Sequence, residues 1–179
     1  MKTTLFVTAT LLMAASAAHA ANVSSPVETL IVKAGKGSLA FDNNFSNTLA
    51  GDTFADRFNF TLSGTASVRV TATSTAAGLN DSLDLTGFGI FDAATNQLVA
   101  PGKLSYLNDD GVYDKWTLST SNLATGSYYF QVSGTMLAPG GSFAANGTIN
   151  VSPVPEPAMP AMLLGGLAML AFVARRQGK

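Results

Sequence analysis

Strict two-residue alternation runs through this 179-residue chain and constrains its fold more than any other feature. Ala66, Val68, Val70 and Ala72 are apolar, while Ser67, Arg69, Thr71 and Thr73 between them are polar or charged. Tyr128, Phe130 and Val132 oppose Tyr129, Gln131 and Ser133. Phe143, Ala145, Gly147, Ile149 and Val151 alternate with Ala144, Asn146, Thr148 and Asn150. Successive side chains of a strand point to opposite faces, so the pattern fits half-buried antiparallel strands. Turn clusters separate the runs: Ser63-Gly64-Thr65, Asn80-Asp81, Ala94-Thr95-Asn96, Asn108-Asp109-Asp110-Gly111, Thr125-Gly126 and Pro139-Gly140-Gly141. Roughly eight or more short strands so spaced predict an all-β fold, an antiparallel β-sandwich of jelly-roll or Greek-key type. Residues 33 to 53 are rich in Gly, Asn and Ser and read as a flexible hairpin or loop leading into Phe54.

The two ends do not belong to that fold. Lys2 precedes an apolar run from Leu5 to Ala15, and Ala18-His19-Ala20 forms an A-x-A cleavage site ahead of Ala21. This is the pattern of a secretory signal peptide over residues 1–20, too short for an anchor. At the other end Val154-Pro155-Glu156-Pro157 precedes an uncharged segment from Ala158 to Ala174, then Arg175, Arg176 and Lys179. As a helix over about 158–174 this segment spans roughly 26 Å, just under a bilayer core. Its basic end would stay on the cytoplasmic side. The competing reading is a buried core helix, but such a helix carries a polar stripe and this segment has none.

Residues 21–153 remain as one domain. Six basic against ten acidic side chains leave this body at −4, with no basic patch for nucleic acid. Cysteine is absent, and the only histidine is His19, inside the signal peptide. The body therefore has neither Ser-His-Asp nor Cys-His machinery, nor the usual zinc, copper or haem ligands. Carboxylate, Lys or Tyr chemistry and hard-cation binding stay open. No catalytic residue is expected, and of cofactors only Ca²⁺ is left open.

Three features are candidates for a site. On an extended strand Phe54, Asp56, Phe58, Phe60 and Leu62 share one face, which puts Asp56 among aromatics. An inward carboxylate needs partners, so Asp56 is expected to tie the N–H groups of a neighbouring loop; a Ca²⁺ ligand or a catalytic acid are the alternatives. Asp109, Asp110 and Asp114 around Gly111 are either a solvated hairpin or a weak Ca²⁺ site without EF-hand spacing. Trp116, the only Trp, shares a face with Asp114 and Leu118; it reads as core, or else as a platform for stacking on a sugar ring.

The tripartite tail resembles the PEP-CTERM sorting signal of Gram-negative bacteria, with Pro155, Glu156 and Pro157 as the motif and Arg175 and Arg176 as the basic stop. The resemblance implies recognition by a membrane-embedded exosortase after export, passage through the inner membrane, and delivery to the cell surface or exterior. It also implies an exopolysaccharide or biofilm setting. Phe54-x-Asp56-x-Phe58 is similar to the FxDxF subset of that family, which brings no activity with it. Leu123-x-x-Gly126-x-Tyr128, with Gly89-Ile90-Phe91-Asp92-Ala93, is similar to bacterial pre-peptidase C-terminal domains, small β-sandwich modules of secreted enzymes. Leu123-x-x-Gly126-x-Tyr128 also suits a corner at which the Tyr hydroxyl bonds back to upstream backbone, as in sandwich folds. The expected molecule is an exported, non-enzymatic surface or matrix protein. A carbohydrate-binding module is the alternative, and a carboxylate-dependent glycan-active enzyme is a more distant one.

Overall fold

In the computed structural model the described residues are 20–75, 83–107, 113–153 and 159–177. The cleavage-site residue Ala18, the turn residues Asp109 and Asp110, and the motif residues Pro155, Glu156 and Pro157 lie outside them, as does Asn80-Asp81.

The strands are β1 (Glu28–Thr29), β2 (Gly35–Phe45), β3 (Thr53–Leu62), β4 (Ala66–Thr75), β5 (Leu83–Asp92), β6 (Leu98–Pro101), β7 (Lys103–Leu107), β8 (Asp114–Leu123), β9 (Gly126–Met136) and β10 (Gly141–Val151); helix α1 (Met159–Gln177) follows. They form two five-stranded sheets, ordered β1-β3-β9-β5-β6 and β2-β10-β4-β8-β7. The pairs are nested: β2 with β10, β3 with β9 and β4 with β8, all antiparallel. A long hairpin wrapped across two layers gives this order, which is that of a jelly roll with β1 and β7 added at edges. The chain is thus an antiparallel β-sandwich. The one departure is β1, which runs parallel to β3.

The core lies between the sheets and follows the alternation. Along β3 the burial repeats in strict period two, with Phe54, Asp56, Phe58, Phe60 and Leu62 buried. Ala66, Val68, Val70 and Ala72 are buried from β4, and Phe143, Ala145, Ile149 and Val151 from β10. A belt of Phe rings joins the layers. Phe41 lies 4.4 Å from Phe58 and 5.1 Å from Phe130, and Phe54 stacks on Phe143 at 5.7 Å. Such offset and tilted pairs add directional preference to area burial.

Two expectations are corrected. Residues 33–53 are not loop throughout: Gly35–Phe45 is an eleven-residue strand paired along its full length with β10. Its Leu39, Phe41 and Phe45 are buried, so pairing and burial override the weak strand preference of its Gly and Asn residues. Tyr129 does not sit on an open polar face. It is 4% exposed on the outer side of β9, stacked on Phe91 at 5.2 Å and capped by the Arg57 guanidinium at 4.7 Å.

Candidate functional site

The N-terminal segment lies along β3 as a strap, and two β3-side carboxylates hold it. Val23 N–H donates to Thr53 O, and Thr53 N–H to Ala21 O, both at 2.9 Å. Ala55 N–H donates to Ser24 Oγ at 2.8 Å. Asp56 is 1% exposed and accepts from Ser25 N–H and from Asn43 Nδ2, each at 2.7 Å. Asn43, from β2, also donates to Ser25 Oγ at 2.6 Å. Burial pushes the Asp56 carboxyl above its ordinary pKa, and the bonds from Ser25 and Asn43 oppose that rise. Asp52, four residues earlier, accepts from Leu49 N–H at 2.8 Å and from Ala21 N–H at 2.9 Å. Those backbone donors, Leu49 first, hold its carboxyl below the usual range.

Asp114 opens β8 and is buried. Its Oδ2 accepts from Leu85 N–H at 2.7 Å, and its own N–H donates to Ser74 Oγ at 2.6 Å. Leu118 from the same face is buried in the core, whereas Trp116 is half-buried and packs against it. The indole Nε1 donates to Leu85 O at 2.8 Å. The ring also lines an open depression of about 370 Å³ with Phe91, Leu98, Pro101, Gln131 and Ser133. This depression lies where the chain leaves one sheet at β6 and joins the other at β7. Among the described residues no group of three or more His, Cys, Asp or Glu side chains converges to hold a metal ion.

A second depression, of about 470 Å³, lies on the polar outer face of the β2-β10-β4-β8 sheet. Lys36, Arg69, Ser119, Ser121, Thr148 and Asn150 line it. Sequence reasoning did not single it out, because its residues come from four strands. The register of β10 against β2 and β4 brings Lys36 beside Asn150 and Arg69 beside Thr148.

The corner expected at Tyr128 is present: its hydroxyl donates to Ala124 O at 3.1 Å. The tail forms α1, which covers the expected helix and ends in Arg175 and Arg176, where cations complement the helix dipole. From Met162 to Leu170 every side chain is exposed, Met162 by 79% and Leu170 by 68%. Among the described residues no helix is long and apolar enough to cross a membrane.

Residues 153–177 match the PEP-CTERM protein-sorting motif. The chain carries that signal. No curated protein matches the chain in sequence. Two solved structures are similar in fold. One is PliG of Aeromonas hydrophila, a periplasmic inhibitor of g-type lysozyme, at 12% identity and a TM-score of 0.40, covering 73% of this chain and 100% of that one. The other is the pre-peptidase C-terminal domain of the Bacillus anthracis collagenase, at 12% identity and a TM-score of 0.35, covering 69% and 94%. At these scores neither likeness carries an argument about activity or ligand.

Proposed function

We propose that this chain is a non-enzymatic protein of the cell surface or extracellular matrix, exported and then sorted by an exosortase through its tail. The observation that carries this reading is the match of residues 153–177 to the PEP-CTERM sorting motif. Pro155, Glu156 and Pro157 are the recognition residues, and α1 enters the inner membrane in transit with Arg175 and Arg176 on the cytoplasmic side. From Met162 to Leu170 its side chains are apolar and exposed, which is costly in water and suits lipid or a membrane-embedded enzyme. The body from 21 to 153 offers no His or Cys for nucleophilic catalysis. Its two five-stranded sheets suit a structural or adhesive role beside exopolysaccharide. The test is replacement of Pro155, Glu156 and Pro157 together by Ala in an exosortase-bearing Gram-negative host. Surface labelling should fall at least about tenfold while export across the inner membrane continues. Unchanged surface labelling would overturn the sorting assignment.

A second reading, carbohydrate binding, has one specific observation behind it. Trp116 presents part of its ring to an open depression beside Phe91, Gln131 and Ser133, a mix of aromatic and amide groups suited to a pyranose. Trp116→Phe should then weaken binding to the producing cell's own exopolysaccharide without lowering the amount of exported protein. Equal binding by both proteins would remove the depression as the glycan site.

A further inference from the structure

The strap meets β3 in a fixed register. Ala21 faces Asp52, Asn22 faces Thr53, Ser24 faces Ala55 and Ser25 faces Asp56, each pair 31 residues apart. By Glu28 the offset has slipped by one, to Phe58, after Pro26 has interrupted the run of N–H donors. Asp52 is 5% exposed and rigidly placed. Its N–H donates to Leu49 O at 3.1 Å, and its carbonyl accepts from Met136 N–H at 2.7 Å. Its two carboxylate oxygens receive the N–H groups of Leu49 and Ala21. Neither donor carries a charge in the uncleaved chain, so two neutral amides stabilise this nearly buried anion by hydrogen bonding alone.

The Ala18-His19-Ala20 site places the scissile bond on the nitrogen that touches Asp52. Hydrolysis breaks the Ala20 C–Ala21 N bond. Water gives its hydroxyl to the Ala20 carbonyl and a proton to the Ala21 nitrogen, which takes another from solvent and becomes an ammonium at neutral pH. We propose that Asp52 is the docking site for the α-ammonium of Ala21, so that signal-peptide removal converts an amide contact into a charge-assisted bond and locks the strap onto β3. The nitrogen already stands 2.9 Å from Oδ1, so no rearrangement is needed. The site is selective for chain length. A mature chain one residue longer would carry its ammonium about 3.3 Å farther along the strand, beyond Asp52.

The ionisable groups hydrogen-bonded to strap residues 21–25 are Asp52 and Asp56; the other contacts come from the Thr53 and Ala55 main chain and the neutral Asn43 side chain. The ammonium gains an anionic partner on folding, so its pKa rises above the free value of about 7.7–8.0. Its contribution to stability is full below that free value and is lost as pH rises through the raised one.

The experiment uses the protein recovered after export from the complete gene. Its N-terminus is identified by mass, and the labelling rate of the Ala21 α-amine by an amine-reactive ester is followed from pH 6 to pH 10 in wild type and Asp52→Asn. The wild-type midpoint is expected about one pH unit or more above that of Asp52→Asn, a labelling rate at pH 8 at least about fivefold slower. A second variant with one Gly inserted before Ala21 keeps Asp52 and displaces the ammonium; its midpoint should return to about 7.7–8.0. Equal midpoints in wild type and the Gly insertion would overturn the proposal, as would a processed N-terminus other than Ala21.

Discussion

Replacing Asp56 tests how the body of the molecule is held together. In Asp56→Ala the N–H of Ser25 and one bond of Asn43 lose their acceptor, in a site 1% exposed. A buried donor left unpaired costs about 1–3 kcal/mol. Asn43 keeps its bond to Ser25 Oγ, so its loss is partial, and the sum is about 2–3 kcal/mol. For a body of this size that lowers Tm by about 6–15 °C. Asp56→Asn retains an acceptor for Ser25 N–H but turns its NH2 toward Asn43 Nδ2, so Asn43 must flip its amide to accept; with the buried charge also removed, the cost at pH 7 should stay below that of Asp56→Ala. Because the native state holds the Asp56 proton more tightly than the unfolded chain does, its contribution is most favourable below about pH 3.9 and declines as pH rises through the raised folded value. The stability of wild type relative to Asp56→Asn should therefore fall over that window and then level off. Urea unfolding followed by the fluorescence of Trp116, the sole Trp, gives these quantities directly. Asp56→Ala within about 0.5 kcal/mol of wild type would refute the role given to its two acceptor oxygens.

Further consequences follow from packing and charge. At Gly134 an added methyl would run into the Phe54 ring and the Asp84 carbonyl, so Gly134→Ala should destabilise by about 1–3 kcal/mol in the same urea assay. Phe58→Ala removes the ring 4.4 Å from Phe41 at the centre of the belt and should cost about 3–5 kcal/mol, read as a lower urea midpoint with a similar slope. The Asp92 carboxyl is held below its ordinary pKa by Thr95, so its contribution is present above about pH 3.9 and lost as pH falls through the lowered value; the Tm gap between wild type and Asp92→Asn should close on acidification. Calcium at millimolar levels should leave the wild-type Tm unchanged, since both Asp56 oxygens are already engaged by Ser25 and Asn43.

The parts of the fold legible in the sequence are those buried on one side only. Ala66 to Ala72 and Phe143 to Val151 alternate because one face meets the core and the other water, and Phe54-x-Asp56-x-Phe58 pointed Asp56 inward for the same reason. What escaped had its cause elsewhere in the chain. The donors to Asp56 lie 31 and 13 residues away, on the strap and on β2, which no local pattern encodes. Strand β2 hid behind Gly35, Gly37, Asn43 and Asn44, whose preferences are overruled by the register with β10. Tyr129 looked like an outward residue and is covered by Phe91 and Arg57. Asp52 fell inside the segment 33–53 read as hairpin or loop and was not singled out. The signal that could have found it is its place immediately before β3, four residues ahead of Asp56 and matching the spacing of Ala21 and Ser25.

If the tail is a processing address on an exported β-sandwich, the intact mass of the exported protein from an exosortase-bearing host will show it. The expected product begins at Ala21, ends at or near the Pro155-Glu156-Pro157 motif, and lacks the apolar segment and its arginines. The same gene in a host without the exosortase should yield a chain that begins at Ala21 and retains the tail. A product that still carries Ala158 to Lys179 when the exosortase is present would contradict the claim and make α1 a permanent part of the mature molecule.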